Sequence, residues 1–304
     1  MRSLSGLKPE DIVFIDIETV RRCENLIEGS RDYEAWKRKL GRRLEKQDID
    51  IIDDYHSRAA FFPEFSRIAC ISVGRIVGKK IVVRTYQYED EHKILDYFNT
   101  DLENVFRKNP NTILCGHSIK KFDVPFLMKR SISKGIIPST LIDVGGLKAW
   151  DVKMIDTIEL WKGTGFYNCS LDSMCLSLDI DSSKDEISGS EVGDLYYVDG
   201  GIEKIVNYCE KDVVAVINCF RKMNFQDVLT IIDHQEVKEP EPETLFQRIA
   251  NTGVINEEDE IEIIKEASLL NHKEKQLFID MIKASLSRLG QELTEEIELE
   301  ILKS

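Results

Sequence analysis

Asp16 and Glu18 stand two residues apart in the apolar run FIDIET, residues 14–19. Side chains at i and i+2 of a strand share one face, so two like charges sit side by side among Val13, Phe14, Ile15 and Ile17. They repel each other, and both lose water where the strand is buried. Such a pair needs something positive beside it, and a metal ion is one candidate. With 55 acidic residues in 304, about ten acidic i, i+2 pairs arise by chance. Alone, therefore, the pair has a plainer reading, a solvated strand end.

Two further segments carry candidate chemistry. In GHSIKKFDVPFL, residues 116–127, a strand runs into a loop and Asp123 stands where the next helix begins. A helix N-cap is the ordinary job for such an Asp. His117 and Ser118 occupy the strand-to-loop exit, where ligands approach an α/β sheet, and Lys120 and Lys121 are placed to reach a phosphate. In NYCEKDVVAVINCF, residues 207–220, Tyr208 and Asp212 are four apart and share one helix face. Taken singly, that Tyr reads as half-buried packing and that Asp as solvated surface.

The elements that must position these residues follow from periodicity. Residues 11–17 read as a buried strand, and residues 20–60 interrupt with a charged, helix-like insertion. Residues 67–76 and 79–88 read as a hairpin turning at Gly78-Lys79. Residues 90–108 suit an amphipathic helix through Ile94, Leu95, Phe98, Leu102, Val105 and Phe106. A strand is expected within 111–118 and a helix over 123–135, with Gly135 closing it. Further helices are expected at 156–162, 170–178 and 201–223. EVKEPEPET, residues 236–244, is a proline- and glutamate-rich break, which divides the chain into 1–234 and an acidic helical region, 235–304. In the latter, Asn256 and Asn271 precede Asp259 and Glu274 at capping-box spacing. Leu277, Phe278, Met281, Ile282 and Leu289 form a helical stripe.

Bulk properties narrow the class. Seven scattered cysteines with no C-x-x-C pair read as buried thiols in a reducing compartment. No run approaches a membrane span and the first residues lack a secretory layout, so a cytoplasmic protein is expected. The net charge is −14, and residues 235–304 hold 8 basic against 17 acidic groups. The first 234 residues thus carry about −5, which argues against wrapping a duplex electrostatically. Two bound divalent ions would bring that part close to neutral.

In this order, D-x-E on the first strand, Asp after a strand-loop and Y-x-x-x-D on a late helix, the three segments resemble the DEDD superfamily of 3′–5′ exonucleases. The tyrosine four residues before Asp212 resembles that of its tyrosine branch, and Asn207 stands where the histidine branch carries its base. GHSIKKFDVPFL is similar to the second motif of proofreading exonucleases from family-B DNA polymerases, with Ser118 where Asn is more usual. AAFFPEFSRIACISVG (59–74), IDTIELW (155–161) and ISGSEVGDLYYV (187–198) resemble a stand-alone group of predicted 3′–5′ exonucleases related to those domains. The resemblance spans about residues 10–225 and leaves out the tail.

The resemblance implies an α/β, ribonuclease-H-like fold, a mixed sheet flanked by helices, with the small C-terminal helical region appended. It implies two Mg²⁺ or Mn²⁺ ions about 4 Å apart, hard cations that favour carboxylate oxygen. Asp16 would bridge both ions, Glu18 and Asp212 would complete the nucleophile-side ion, and Asp123 would support the other. Tyr208, a phenol that keeps its proton at neutral pH, would orient the attacking water. Thr19, Ser118 and Phe122 would contact the terminal sugar and base. Lys120, Lys121, Lys129 and Arg130 would line the strand's approach. Lys37, Arg38, Lys39, Arg42 and Arg43 of the insertion would join them or form a solvated helix face.

The expected partner is the 3′ end of a single strand, DNA favoured over RNA, in repair or nucleic-acid turnover, with no membrane and with unknown protein partners for the tail. Its rivals are an exoribonuclease of the same chemistry, an endonuclease on the same fold, and a catalytically silent nucleic-acid-binding or scaffold protein. Loss of a carboxylate would favour the silent reading, and all four are present.

Overall fold

β1 (Ile12–Arg21) is an inner strand of a six-stranded mixed sheet in the computed structural model, which describes residues 7–46, 48–148, 151–181, 192–237, 255, 257–287 and 293–304. β2 (Ser66–Val77) pairs antiparallel with β1, and β3 (Lys80–Tyr86) antiparallel with β2. The hairpin turns at Gly78, whose φ of 61° suits glycine. β4 (Ile113–Gly116) and β5 (Met154–Asp156) add in parallel on the other side of β1, and β6 (Ile232–Gln235) pairs in parallel with β3. The order is β5-β4-β1-β2-β3-β6. An antiparallel meander continued by two parallel strands, with helices on its faces, is a ribonuclease-H-like α/β fold.

Pleat parity on β1 decides which side chains meet which helices. Val13, Ile15 and Ile17 pack with Ile94, Leu95 and Phe98 of α4 (Glu91–Lys108) and with Val124, Phe126 and Leu127 of α5 (Asp123–Ser133). Ile12 and Phe14 pack on the opposite face with Val213, Val216, Ile217 and Phe220 of α9 (Gly201–Met223). Continuing the same parity aims Asp16 and Glu18 toward α9. The Phe14 and Phe220 rings meet edge-on at 5.5 Å. Gly74, the register partner of Phe14, lets α9 lie directly on the sheet. A Cβ there would stand 2.4 Å from Val213 Cγ1 and 2.8 Å from Ile217 Cδ1.

The insertion folds into α1 (Arg31–Leu40), α2 (Arg42–Lys46) and α3 (Ile51–Arg58). It has its own core, in which Trp36 meets Tyr55 and Phe65 edge-on at 5.4 and 5.0 Å. α6 (Thr157–Lys162), α7 (Leu171–Leu178) and α8 (Val192–Leu195) lead toward α9. α4 begins as its sequence implies, with the Asp90 carboxylate accepting from the His92 N–H.

Contacts divide the chain into two units, Met1–Val237 and Lys238–Ser304. The second holds α10 (Glu257–Ala267), α11 (His272–Ser287) and α12 (Glu295–Lys303) around Ile263, Phe278, Ile279, Ile282 and Ile301. Asn271 and Glu274 form the reciprocal capping pair. The buried stripe of α11 is Phe278, Ile279, Ile282 and Leu286, whereas Leu277 and Met281 are exposed. Asn256, Leu289, residues 187–191 and residues 238–244 of the proline-rich break lie outside the described residues. No described helix is long and apolar enough to cross a membrane.

β5 and β6 have no counterpart in the sequence expectations. β5 spans three residues and β6 four exposed ones, IDHQ, too short or too polar for an alternating pattern. The expected strand over 111–118 shrinks to Ile113–Gly116 because the chain turns away at His117.

Gly74→Ala should force α9 off the sheet and lower stability by about 1–3 kcal/mol. For a unit of this size that is a fall of about 2–10 °C in Tm, read by thermal melting. An unchanged Tm would mean that α9 does not depend on that close approach.

Candidate active site

Along β1, alternation holds from Ile12 to Glu18 and then breaks. Glu18 pairs with Cys70 but Thr19 pairs with Ile68, a bulge that skips Ala69. Bulges re-aim side chains beside functional sites. Here the bulge separates the half-buried Asp16 and Glu18 from the buried run Thr19, Val20 and Arg21. Facing the two acids, α9 presents Asp212 and Cys209, and Tyr208 lies one turn before Asp212 on the same helix. Tyr208 is 7 % exposed and packs in a cluster with Val20, Cys70, Val192 and Ile205.

Cys209 ties the two elements together. Its thiol donates to Asp16 Oδ2 at 3.3 Å, and ligand atoms of Asp16, Glu18 and Cys209 all lie within 4.8 Å of one another. Burial, followed by the contact with Cys70, pushes the Cys209 thiol well up. It therefore stays protonated and serves as a donor to Asp16.

The acids form one electrostatic cluster. Burial raises the Asp16 carboxyl well above the ordinary range, and the charges of Asp212, Asp123 and Glu18 raise it further. Burial also raises Glu18, again reinforced by Asp212 and Asp123. Burial takes Asp123 up to about 7, with Asp156 adding to the rise while the N–H groups of Asp123 and Ile17 partly offset it. Acids on β1, α5 and α9 thus repel one another inside a low-dielectric cleft. Clustered oxygen donors of this kind fit hard divalent cations, Mg²⁺ or Mn²⁺. Asp16, Glu18 and Asp212 would hold them, with Asp123 behind.

Asp123 does not act as the expected N-cap. Phe122 occupies the cap position, without a side-chain bond, and Asp123 is the first helical residue. Its buried carboxylate accepts instead from the Ile17 N–H, between the two acids of β1. The cap expectation fails because that acceptor is spent on a neighbouring strand.

The loop before Asp123 is built around Asp156. Its carboxylate accepts from the N–H groups of Ser118 (3.2 Å) and Lys120 (3.3 Å) and caps α6 through Ile158 (3.0 Å). Ser118 adopts φ 67°, the left-handed region in which Asn is enriched; this gives a physical reason for Asn at such a position. His117 is held on both ring nitrogens, Nδ1 by the Thr157 hydroxyl (3.0 Å) and Nε2 by the Cys169 carbonyl (3.2 Å). Burial lowers its pKa, and the Cys169 carbonyl can only accept, so the proton sits on Nε2; the Thr157 hydroxyl also reaches the Gly116 carbonyl at 3.2 Å. Lys120 pairs with Glu159 at 2.8 Å. Lys121 is exposed and lines a cleft of about 370 Å³ with Ser118, Asp156 and Lys162. Thr19 donates its hydroxyl to the Ala60 carbonyl at 2.9 Å. Phe122 is half-buried, edge-on to the exposed Phe61 at 6.4 Å.

Two groups of cations differ from expectation or choose between alternatives. Arg130 does not line the surface. It is buried, with its guanidinium bidentate on Glu91 at 2.9 and 2.6 Å. The apolar spacing of α5 turns position 130 inward while Lys129 stays exposed. Lys37, Arg38, Lys39, Arg42 and Arg43 are an exposed face of the insertion. Lys39 sits 3.7 Å from the Phe62 ring centroid.

A family model described as a predicted 3′–5′ exonuclease related to the exonuclease domain of PolB matches residues 59–256. The chain belongs to that family. The matched span of this predicted 3′–5′ exonuclease contains Asp123, Tyr208 and Asp212, and begins after β1 with its Asp16 and Glu18. Comparison with curated proteins gives no match. Among solved structures it is similar to the family B DNA polymerase of the hyperthermophilic archaeon Pyrobaculum calidifontis, at 13 % identity and a TM-score of 0.43. That likeness covers 68 % of this chain and 23 % of the polymerase chain.

The sequence reading did not single out Cys209 or Asp156. Cys209 lies three residues before Asp212, a helical neighbour spacing, which could have placed it near that acid. Asp156 lies inside the quoted IDTIELW, yet nothing local shows that its carboxylate spans back to residues 118–120.

The cluster makes the metal-free protein sensitive to pH. Its raised carboxyls keep protons that the unfolded chain releases near pH 4, so their contribution to stability falls as pH rises from about 4 to about 7. Mn²⁺ replaces those protons. At about one hundred times its Kd at pH 8 it should raise Tm by about 5–10 °C, and the same Mn²⁺ concentration should raise it less at pH 5.5, where protons compete. Scanning calorimetry with and without Mn²⁺ checks this, and a rise independent of pH would disconnect the ion from these acids.

Proposed function

We propose that the chain is a divalent-metal-dependent 3′–5′ exonuclease that removes nucleotides from single-stranded 3′ ends, DNA in preference to RNA, with the activity in the unit Met1–Val237. The observation that carries this is the meeting of acids from β1, α5 and α9 in one mutually repelling cluster, half-buried at Asp16, Glu18 and Asp212 and buried at Asp123. The family supplies the reaction class. A pair of divalent ions at such a site neutralises phosphate charge and acidifies a water.

The chain's own groups would do the rest. Asp16, Glu18 and Asp212 place the cations against the scissile phosphate, and Asp123 fixes the far side through its tie to β1. The Tyr208 hydroxyl holds the attacking water in line. Cys209 donates to Asp16 Oδ2, which leaves the other carboxylate oxygen to turn outward. Lys121 offers a cation to the strand, and Phe61 and Phe122 offer aromatic surface for a terminal base. Aromatic stacking plus a narrow basic track suits single strands.

With Mn²⁺, a 5′-labelled 20-mer should shorten stepwise and release mononucleotides. Internal cuts, or an intact label, would remove the proposal. Asp16→Asn and Asp212→Asn should each lower kcat by about 10³-fold or more, as expected for groups that hold the ions, and Tyr208→Phe by about 10–100-fold. The same assay on a matched RNA strand decides between DNA and RNA.

A further inference from the structure

α8 and the turn after it, residues 192–198, lie between the end of β1 and the beginning of α9, the two elements that carry D-x-E and Y-x-x-x-D. On the β1 side the attachment is through Arg21, three residues beyond Glu18. The Tyr197 hydroxyl donates to the Arg21 carbonyl at 2.7 Å. The Arg21 guanidinium sits 5.2 Å from the Tyr197 ring centroid and pairs with Asp194 at 2.7 Å. Since the Asp194 side chain is largely exposed, that ion pair alone contributes little. A second aromatic–cation contact sets Tyr196 against Arg67 of β2 at 5.5 Å.

On the α9 side the fit leaves no space. A Cβ on Gly201 would stand 1.7 Å from the Leu195 carbonyl oxygen, and the Gly201 N–H donates to the Val198 carbonyl at 2.9 Å. Gly201 opens α9, and Tyr208 follows it by about two turns. Val192 is buried in the same cluster as Val20, Cys70, Ile205, Tyr208 and Cys209. The far end of α9 is fixed independently, by Phe220 on Phe14.

We infer that residues 192–198 are a positioning strap that sets Tyr208 relative to Asp16 and Glu18, with Tyr197 as its latch on β1. The strap touches both β1 and α9 and has nowhere to slide. Freeing the latch lets the start of α9 drift while its far end stays seated, which misplaces Tyr208 more than Asp212. Tyr197 is thus a positioning residue that acts through Tyr208. For its catalytic consequence the inference rests on the exonuclease reading above.

Tyr197→Phe keeps the ring and its packing and removes only the bond to Arg21. The loss of one hydrogen bond should lower kcat about fivefold, with KM and the Mn²⁺-induced rise in Tm unchanged. In a Tyr208→Phe background the same substitution should have no further effect. Placement is read without turnover by ¹⁹F NMR of protein labelled with 3-fluorotyrosine. The line missing in Tyr208→Phe should shift when Tyr197 is replaced. An unmoved line, or an equal loss of kcat in both backgrounds, overturns the strap. An inactive wild type whose line moves leaves the strap standing and removes the exonuclease reading instead.

Discussion

Loss of water by carboxyls gathered in one cleft, with their mutual repulsion added, is the constraint around which this fold is arranged. Ionising Asp123 fully, against a pKa taken to about 7, costs about 4 kcal/mol relative to a free carboxyl, and Asp16 and Glu18 are raised in the same sense. Hydrogen bonds from Cys209 and from backbone N–H groups offset only part of this. The remainder of the unit must hold the acids together. The packing of α9 on the sheet does this, since each fully buried aliphatic or aromatic side chain contributes about 1.5–3 kcal/mol, and Val213, Val216, Ile217 and Phe220 all bury in one cluster against β1. Gly74 brings that packing close enough to set Asp212 opposite Asp16.

The acids are also fixed from behind by neutral or paired groups that add no net charge to the cleft. Cys209 is a protonated donor to Asp16, and the Ile17 N–H donates to Asp123. α5, which begins at Asp123, is anchored by the buried pair of Arg130 and Glu91. Burial raises the Glu91 carboxyl, but Arg130, the Ile68 N–H and Lys134 outweigh that rise and hold it below the usual range. Arg130 also donates to the Pro63 carbonyl at 2.8 Å. One guanidinium thus joins α5, α4 and the approach to β2 seven residues from Asp123. Removing either partner would strand a buried charge, so the pair acts as a structural pin.

What was legible in the sequence follows from local periodicity. The i, i+2 rule placed Asp16 and Glu18 on one face, and the i, i+4 rule placed Tyr208 and Asp212 together. The amphipathic patterns located α4, α5 and α9 to within a residue or two at most ends. Where a side chain finds its partner far along the chain, the local rule gave the wrong or no answer. Asp123 looked like a cap but bonds to β1, Arg130 looked like a surface cation but pairs with Glu91, and Asp156 reaches back 38 residues to Ser118. β5 and β6 pair only because longer strands are already in place beside them.

The family match begins at residue 59, so the strand with the two closest acids lies before it, and its place in the site has to come from geometry. β2, the first strand within the matched span, determines that geometry. Its antiparallel register sets Asp16 opposite Ser72 and Glu18 opposite Cys70, and Cys70 is the thiol against which Cys209 of α9 rests. β1 also lies parallel to β4, with Phe14 beside Cys115, one residue before the strand ends and the chain turns toward Asp123. A strand paired on both sides cannot shift by one residue without sending its acids to the opposite face. There they would enter the apolar layer of Ile94, Leu95, Phe98, Val124, Phe126 and Leu127, away from Asp212 of α9. The matched segment therefore admits β1 in one register alone, the one that turns its two carboxylates toward Asp212.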